Sequence, residues 1–463
     1  MKIFHFNIGR LLLSLVLTCS ILACSKFTDV DLPSSQLGKS TVFKEKATAN
    51  AAVVDIYSKI RENGLLSGRN TGLSIQLGVY TDELQYYGGS GTDLANSYNN
   101  TLLSTSTGIL NLWNYSYSQI YAANAVIEGV NQSTGLADID KEQLLGEALF
   151  VRGLIHFYLV NTFGPIPYIK TTNYQENSMV TRKAETEVYA LIKSDFEQSS
   201  ALLHAQYIGT ERVRPNKWAA QAMLARVCLY MQKWDEAATA ASTVLNQTDL
   251  YKWPTDINGV FLKGSTSTIW QLMPLTVTAN THEGNAFVFT QGPPSSIAIS
   301  ASLYNAFSGN DFRREQWLKK VVNGTSTWYH AYKYKEQTAT TPSKEYSIIL
   351  RIAEQYLIRS EARARLGNLS GAKDDLNKVR NLAGLGNTSA HTADEIVDAV
   401  LQERRLELFT ELGHRFFDLK RLAKLNLTLS PLKPQWDTND RLFPIPQSEL
   451  LLNPNLTPQN AGY

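Results

Sequence analysis

Residues 216–245 run NKWAAQAMLARVCLYMQKWDEAATAASTVL, and residues 353–380 run AEQYLIRSEARARLGNLSGAKDDLNKVR. In the first stretch Trp218, Ala219 and Ala220 are followed by Leu224 and Ala225, and then Trp234, Ala237, Ala241 and Val244 recur at three- and four-residue steps. That spacing gathers apolar side chains along one side of a helix. The second stretch repeats the pattern with Tyr356, Leu357, Ala362, Gly367, Ala372, Leu376 and Val379. Alignment of Ala237 with Ala372 puts Ala225 at the place of Ser360, and small residues there let two helices cross closely. Each stretch therefore predicts a pair of antiparallel helices joined by a short turn.

The double pattern resembles the 34-residue tetratricopeptide repeat, in which small residues allow two helices to pack tightly. Gln232 stands where the first copy needs a turn glycine, and the copies lie more than 100 residues apart. Scattered helix pairs with long insertions are expected rather than a continuous solenoid.

Further helices are expected from Lys46 onward (Ala49, Ala52, Val53, Ile56, Ile60), over 110–130 and over 185–203. Another spans 141–163 and stops at Gly164-Pro165-Ile166-Pro167. Two stretches differ in texture: 81–107 is polar and glycine-rich, and 251–345 is rich in Pro and Gly, with strands expected at Thr268–Leu272 and Ala286–Thr290. The fold class is mainly α: tetratricopeptide-like helix pairs forming a scaffold with long loop-rich insertions and minor β.

The N-terminus points to export. Lys2 and Arg10 precede a short apolar run, Leu11 to Ala23, too short to span a bilayer. The run closes as Ile21-Leu22-Ala23-Cys24, which resembles the lipobox of bacterial lipoproteins. Acyl chains on Cys24 would hold the domain at a membrane, since each buried methylene contributes about 0.8 kcal/mol. The expected organisation is a signal peptide over 1–23, a lipid-anchored extended leader over 24–45, and one domain over 46–463 with insertions at about 81–107 and 251–345. No later stretch is expected to cross a membrane.

Charge narrows the ligand. Lys plus Arg number 44 against 42 Asp plus Glu, and removal of the first 23 residues leaves 42 of each. A balanced surface disfavours nucleic acid, whose binding rests on cations neutralising phosphates. Three cysteines cannot build a disulfide framework, and Cys228 is expected as a buried helix residue. The seven histidines show no metal-ligand spacing, and no phosphate loop or nucleophile elbow occurs. Glu403, Glu407 and Glu411 share a helix face at four-residue steps, where ion pairs explain them better than catalysis. Enzyme activity is not expected, nor is a cofactor; a structural calcium is left open.

Aromatic residues say more: eight Trp, 22 Tyr and 17 Phe. Sugar rings stack their C–H faces on flat side chains, while hydroxyls take Asn, Asp and Arg. Trp218, Trp234, Trp270 and Trp317 fall in helical or strand patterns and are expected in the core. Tyr86, Tyr87, Tyr98 and Asn96 sit in a polar loop, as do Asn280, His282, Asn285 and Phe287, and Trp328 with Tyr329. These ten are the candidate ligand contacts.

Several segments converge on one family. They include the lipobox with Asp29-Val30-Asp31-Leu32-Pro33, then Ala123-Asn124-Ala125-Val126-Ile127-Glu128 and Gly146-Glu147-Ala148-Leu149-Phe150-Val151-Arg152-Gly153. Phe163-Gly164-Pro165-Ile166-Pro167, Glu403-Arg404-Arg405-Leu406-Glu407-Leu408, Arg415-Phe416-Phe417-Asp418 and Asn453-Pro454-Asn455-Leu456-Thr457-Pro458-Gln459-Asn460 follow in order. The series resembles the SusD/RagB-type outer-membrane lipoproteins of Bacteroidetes. The resemblance implies a cell-surface nutrient binder, anchored through Cys24 and facing the outside, that captures oligosaccharide and delivers it to a SusC-like TonB-dependent barrel transporter. A RagB-like peptide binder, a surface glycoside hydrolase and a transporter lid without ligand contact are the alternatives. The shared motifs are scaffold and bring no binding residue with them.

Overall fold

The structure is a computed structural model that describes residues 39–463; the expected signal segment and Cys24 lie outside the described residues. The expected extended leader ends earlier than 45, because Lys39–Val42 forms a short helix and Phe43 is buried. A Cβ at Gly129 would come within 2.1 Å of the Phe43 ring, so the entering chain is seated directly on a helix backbone.

Twelve helices carry the argument: α1 Lys46–Glu62, α2 Leu73–Tyr80, α3 Asp93–Asn99, α4 Thr107–Gln132, α5 Asp138–Phe163, α6 Glu185–Leu202, α7 Lys217–Tyr230, α8 Trp234–Leu245, α9 Ile352–Arg365, α10 Leu369–Leu382, α11 Ala393–Glu407 and α12 His414–Arg421. Side-chain caps fix several starts: Ser106 accepts from the Ile109 N–H, Asn216 from Ala219 and Asn368 from Gly371. α5 is long and apolar enough to cross a membrane by length and composition alone, but 94% of its most apolar window is buried. It is the central core helix.

Each helix from α4 to α10 packs on the next. The expectation of scattered pairs is thereby corrected. α8 lies against α9 across the whole insertion, and Ala225, Cys228, Ala237, Ala241, Ile358 and Ala362 form one buried cluster between them. The two repeats are neighbours in space, and the insertion loops out of a continuous stack. Both turns take the same backbone form, with Gly367 at φ +80° and Gln232, at the equivalent place, at +57°.

The strands are β1 Leu84–Tyr86, β2 Thr268–Leu272, β3 Ile297–Ile299, β4 Leu318–Asn323, β5 Ser326–Ala331 and β6 Ser347–Arg351. They pair antiparallel as β1–β3, β2–β6 and β4–β5. The strand expected over Ala286–Thr290 is absent: His282–Phe287 is a short helix. The insertions build a second core in which Ile75, Val79 and Leu84 meet Phe287, Ile297, Ile299, Trp317 and Phe409. Trp270 and Trp317 are buried as expected, whereas Trp218 and Trp234 are half-buried. Cys228 is buried, and burial pushes its thiol up to about 12.

The acidic series is structural. α11 ends at Glu407, so Glu411 comes from the following turn rather than from the same helix face. Glu407 holds Arg313 at 3.0 Å and Arg351 at 2.5 Å. Glu403 pairs with Arg313 at 2.7 Å, and Glu411 with Lys333 at 2.5 Å and Arg351 at 2.8 Å. All of these side chains are at most 10% exposed.

Candidate functional site

The insertions bring part of the candidate set together. β1 pairs with β3 so that Leu84 faces Ile299 and Tyr86 faces Ile297. The Tyr87 N–H then donates to Ser296 O at 2.7 Å. The Tyr86 hydroxyl lies 3.0 Å from both Gly89 O and Thr92 Oγ1, bracing the 88–92 loop. Its ring stands 6.2 Å from that of Tyr98. The Lys433 ammonium sits 4.0 Å over the Tyr98 ring and donates to Tyr98 O. Burial pulls that ammonium down to about 8.

Tyr87 is 42% exposed. Its hydroxyl faces the Trp328 indole N–H, and partial burial raises its pKa. Trp328 projects from the β4–β5 hairpin, whose two-residue turn has Gly324 at φ +58°. The 292–294 turn presses on the indole: a Cβ at Gly292 would come within 2.3 Å of Trp328 Cζ3. Asn323 pins that turn by donating to Gly292 O at 2.7 Å. The result is a shelf of Tyr87 and Trp328, with Tyr86 and Tyr98 beside them.

Tyr329, next in β5, points to the other face. It stacks on Tyr304 at 4.0 Å, and the Arg314 guanidinium lies 4.4 Å over the Tyr304 ring. Asn96 lies half-buried on α3, beside Tyr98 in sequence.

The remaining candidates lie elsewhere. Asn280 donates to Thr338 O and Thr340 Oγ1 and accepts from the Lys344 and Glu345 N–H groups, which makes it a loop clamp with no valence left for a ligand. His282 Nε2 is 3.2 Å from Glu62 Oε2, in a cluster with Arg61 and Arg69. Asn285 is exposed on the same short helix. Phe287 is core, 5% exposed, and is corrected as a ligand contact.

A second concavity, about 480 Å³, lies on the helical side between Trp113, Tyr117 and Tyr121 of α4 and Asn177, Glu449 and Leu452. Among the described residues no group of three or more His, Cys, Asp and Glu is placed to hold a metal ion.

A stacked-helix scaffold carrying an aromatic shelf on its insertions defines a helical-repeat binding protein. The comparisons place it further. Residues 73–229 match the SusD-like family described as "Starch-binding associating with outer membrane", and residues 301–463 match the SusD family. SusD-like protein P2 of Formosa agariphila is 27% identical, over 97% of this chain and 98% of its own. A SusD superfamily crystal structure from Bacteroides vulgatus superposes with a TM-score of 0.80 at 21% identity, covering 91% of this chain and 100% of its own. A laminarin-binding SusD-like protein superposes at 0.75 with 23% identity, covering 90% and 99%. This chain belongs to the SusD/RagB family of Bacteroidetes, outer-membrane-associated carbohydrate-binding proteins.

Proposed function

We propose that this protein captures an oligosaccharide at the cell surface, without turning it over, and passes it to a SusC-like TonB-dependent barrel in the outer membrane. The observation that carries this reading is the Tyr87–Trp328 shelf, an aromatic surface in which Tyr87 is exposed and Trp328 half-buried. A hexose laid on it buries its C–H face and leaves its hydroxyls at the rim. The match to a laminarin binder supports a glucan as first probe. Cys24 is the proposed acylation site, with the folded body facing outward.

Affinity electrophoresis over a panel of soluble polysaccharides tests the capture step. One glycan retards the protein, and Trp328→Ala weakens that retardation roughly ten- to a hundredfold, as loss of a buried interface aromatic does. A panel without retardation refutes the reading. For delivery, the tagged full chain co-purifies a β-barrel protein from detergent-solubilised outer membranes; its absence refutes the partner.

A further inference from the structure

Beside the shelf runs a groove of about 550 Å³ whose walls include Phe289, Lys319, His330, Tyr332, Lys335 and Glu336. The Lys319 and Lys335 ammonium groups lie 5.7 and 5.5 Å from the centroid of the same Tyr332 ring. Lys335 is held below its usual range by burial, with the Lys319 charge contributing. Both cations border the same ring, and an anion bound there would offset the repulsion that Lys319 exerts on Lys335.

The carboxylates nearby are engaged with other groups. Glu336 is bound by Lys344 at 2.6 Å. Glu345 accepts from the Lys335 and Glu336 N–H groups at 2.8 and 3.0 Å. Lys335 Nζ donates to a neutral oxygen, Asn258 Oδ1, at 2.5 Å, while Asp256 and Glu345 act on it without forming an ion pair. Lys319 forms no ion pair with a carboxylate among the described residues.

The groove continues the shelf. Across the β4–β5 ladder Val321 faces Trp328 and Lys319 faces His330. Lys319 therefore stands on the Trp328 side, about 7 Å further along. Between them His330, buried, has its ring 4.9 Å from Phe289 and 5.5 Å from Tyr332. Its Nδ1 donates to Ala331 O at 3.0 Å, and burial lowers the pKa of the ring. Aromatic surface and two cations thus adjoin the residue on which a sugar would stack.

Resting on the glycan-binding reading, we infer that this groove is a subsite for an anionic substituent of the ligand, a carboxylate or a sulfate ester, on the sugar next to the one stacked on Trp328. The substituent sits between the Lys319 and Lys335 ammonium groups in charge-assisted hydrogen bonds, and its ring lies along Tyr332.

Titration calorimetry of the full chain in detergent tests this with three tetrasaccharides: neutral laminaritetraose, carboxylated tetragalacturonate and a sulfated carrageenan fragment. One of the two anionic sugars binds the parent at least about tenfold more tightly than it binds Lys319→Gln/Lys335→Gln, and added salt weakens it. Which of the two does so separates carboxylate from sulfate. Laminaritetraose, if bound, is held equally by both proteins. Lys319→Gln alone, an exposed change, repeats the test should the double variant misfold. Equal binding of the anionic sugars by parent and variants overturns the subsite while leaving glycan capture standing. Failure of both anionic sugars to bind overturns the subsite, while the polysaccharide panel alone decides the glycan reading.

Discussion

Replacing Glu407 by Ala tests whether the carboxylates of the 403–411 segment serve the fold or chemistry. Glu407 Oε2 receives Arg313 at 3.0 Å and Oε1 receives Arg351 at 2.5 Å, with 0% and 3% of those arginine side chains exposed. The two arginines hold the Glu407 carboxyl below its usual range despite burial. Truncation leaves Arg351 with Glu411, and Arg313 with Asp311 and Glu403, but each guanidinium loses one counter-charge inside the protein. Breaking a buried pair from one side costs about 3–5 kcal/mol. At about 2.1 cal/mol/K per residue, unfolding some four hundred residues carries an entropy near 0.9 kcal/mol/K, so the melting temperature falls by roughly 3–5 °C. Scanning calorimetry reads this, with exposed Glu315→Ala as the control. If E407A melts within 1 °C of the parent, the pairing argument is wrong. If it melts normally while abolishing hydrolysis of a glycan, the segment is catalytic.

Other perturbations separate site from scaffold. Gly292→Ala drives a Cβ against Trp328 Cζ3 and displaces the indole; glycan affinity falls about tenfold while the melting temperature barely moves. Burial and the Asp82 charge raise the Glu83 carboxyl to about 7. The folded state thus holds a proton that the unfolded chain has released, so stability falls as pH rises from about 4.5 to 7. Glu83→Gln removes that slope and melts above the parent at pH 8, by roughly 3 kcal/mol of stability; parallel pH profiles contradict it. Gln232→Gly relieves a left-handed turn at φ +57° and stabilises by about 0.5–1 kcal/mol, read as a higher melting temperature; a lower one refutes the strain.

The helices were legible because their signal is local. Three- and four-residue steps place Ala237, Ala241 and Val244 on one side of a helix whatever lies beyond. That α8 would lie on α9 was not legible, since no residue between 246 and 351 records what the loop returns to. The site was half visible. Tyr86, Tyr87, Tyr98 and Trp328 stood out as aromatics in polar surroundings, and the structure gathers them. Gly324-Thr325 between alternating residues is a hairpin signal, and the strand it starts already implies that Trp328 and Tyr329 face opposite ways. Asn280 and Phe287 misled for a common reason: the insertion satisfies itself. Asn280 spends its hydrogen bonds on 338–345, and Phe287 enters a core assembled from residues near 75, 297 and 409. Lys319 and Lys335 look like ordinary surface charges until the fold sets both beside one tyrosine ring.

A crystal structure of the protein with a bound oligosaccharide puts the central claim to the hardest trial. On the present account a sugar ring lies face-on within about 4 Å of the Trp328 indole, in van der Waals contact, with Tyr87 alongside. Density for the sugar in the Trp113–Tyr117–Tyr121 concavity instead, with the Trp328 shelf bare, would contradict it.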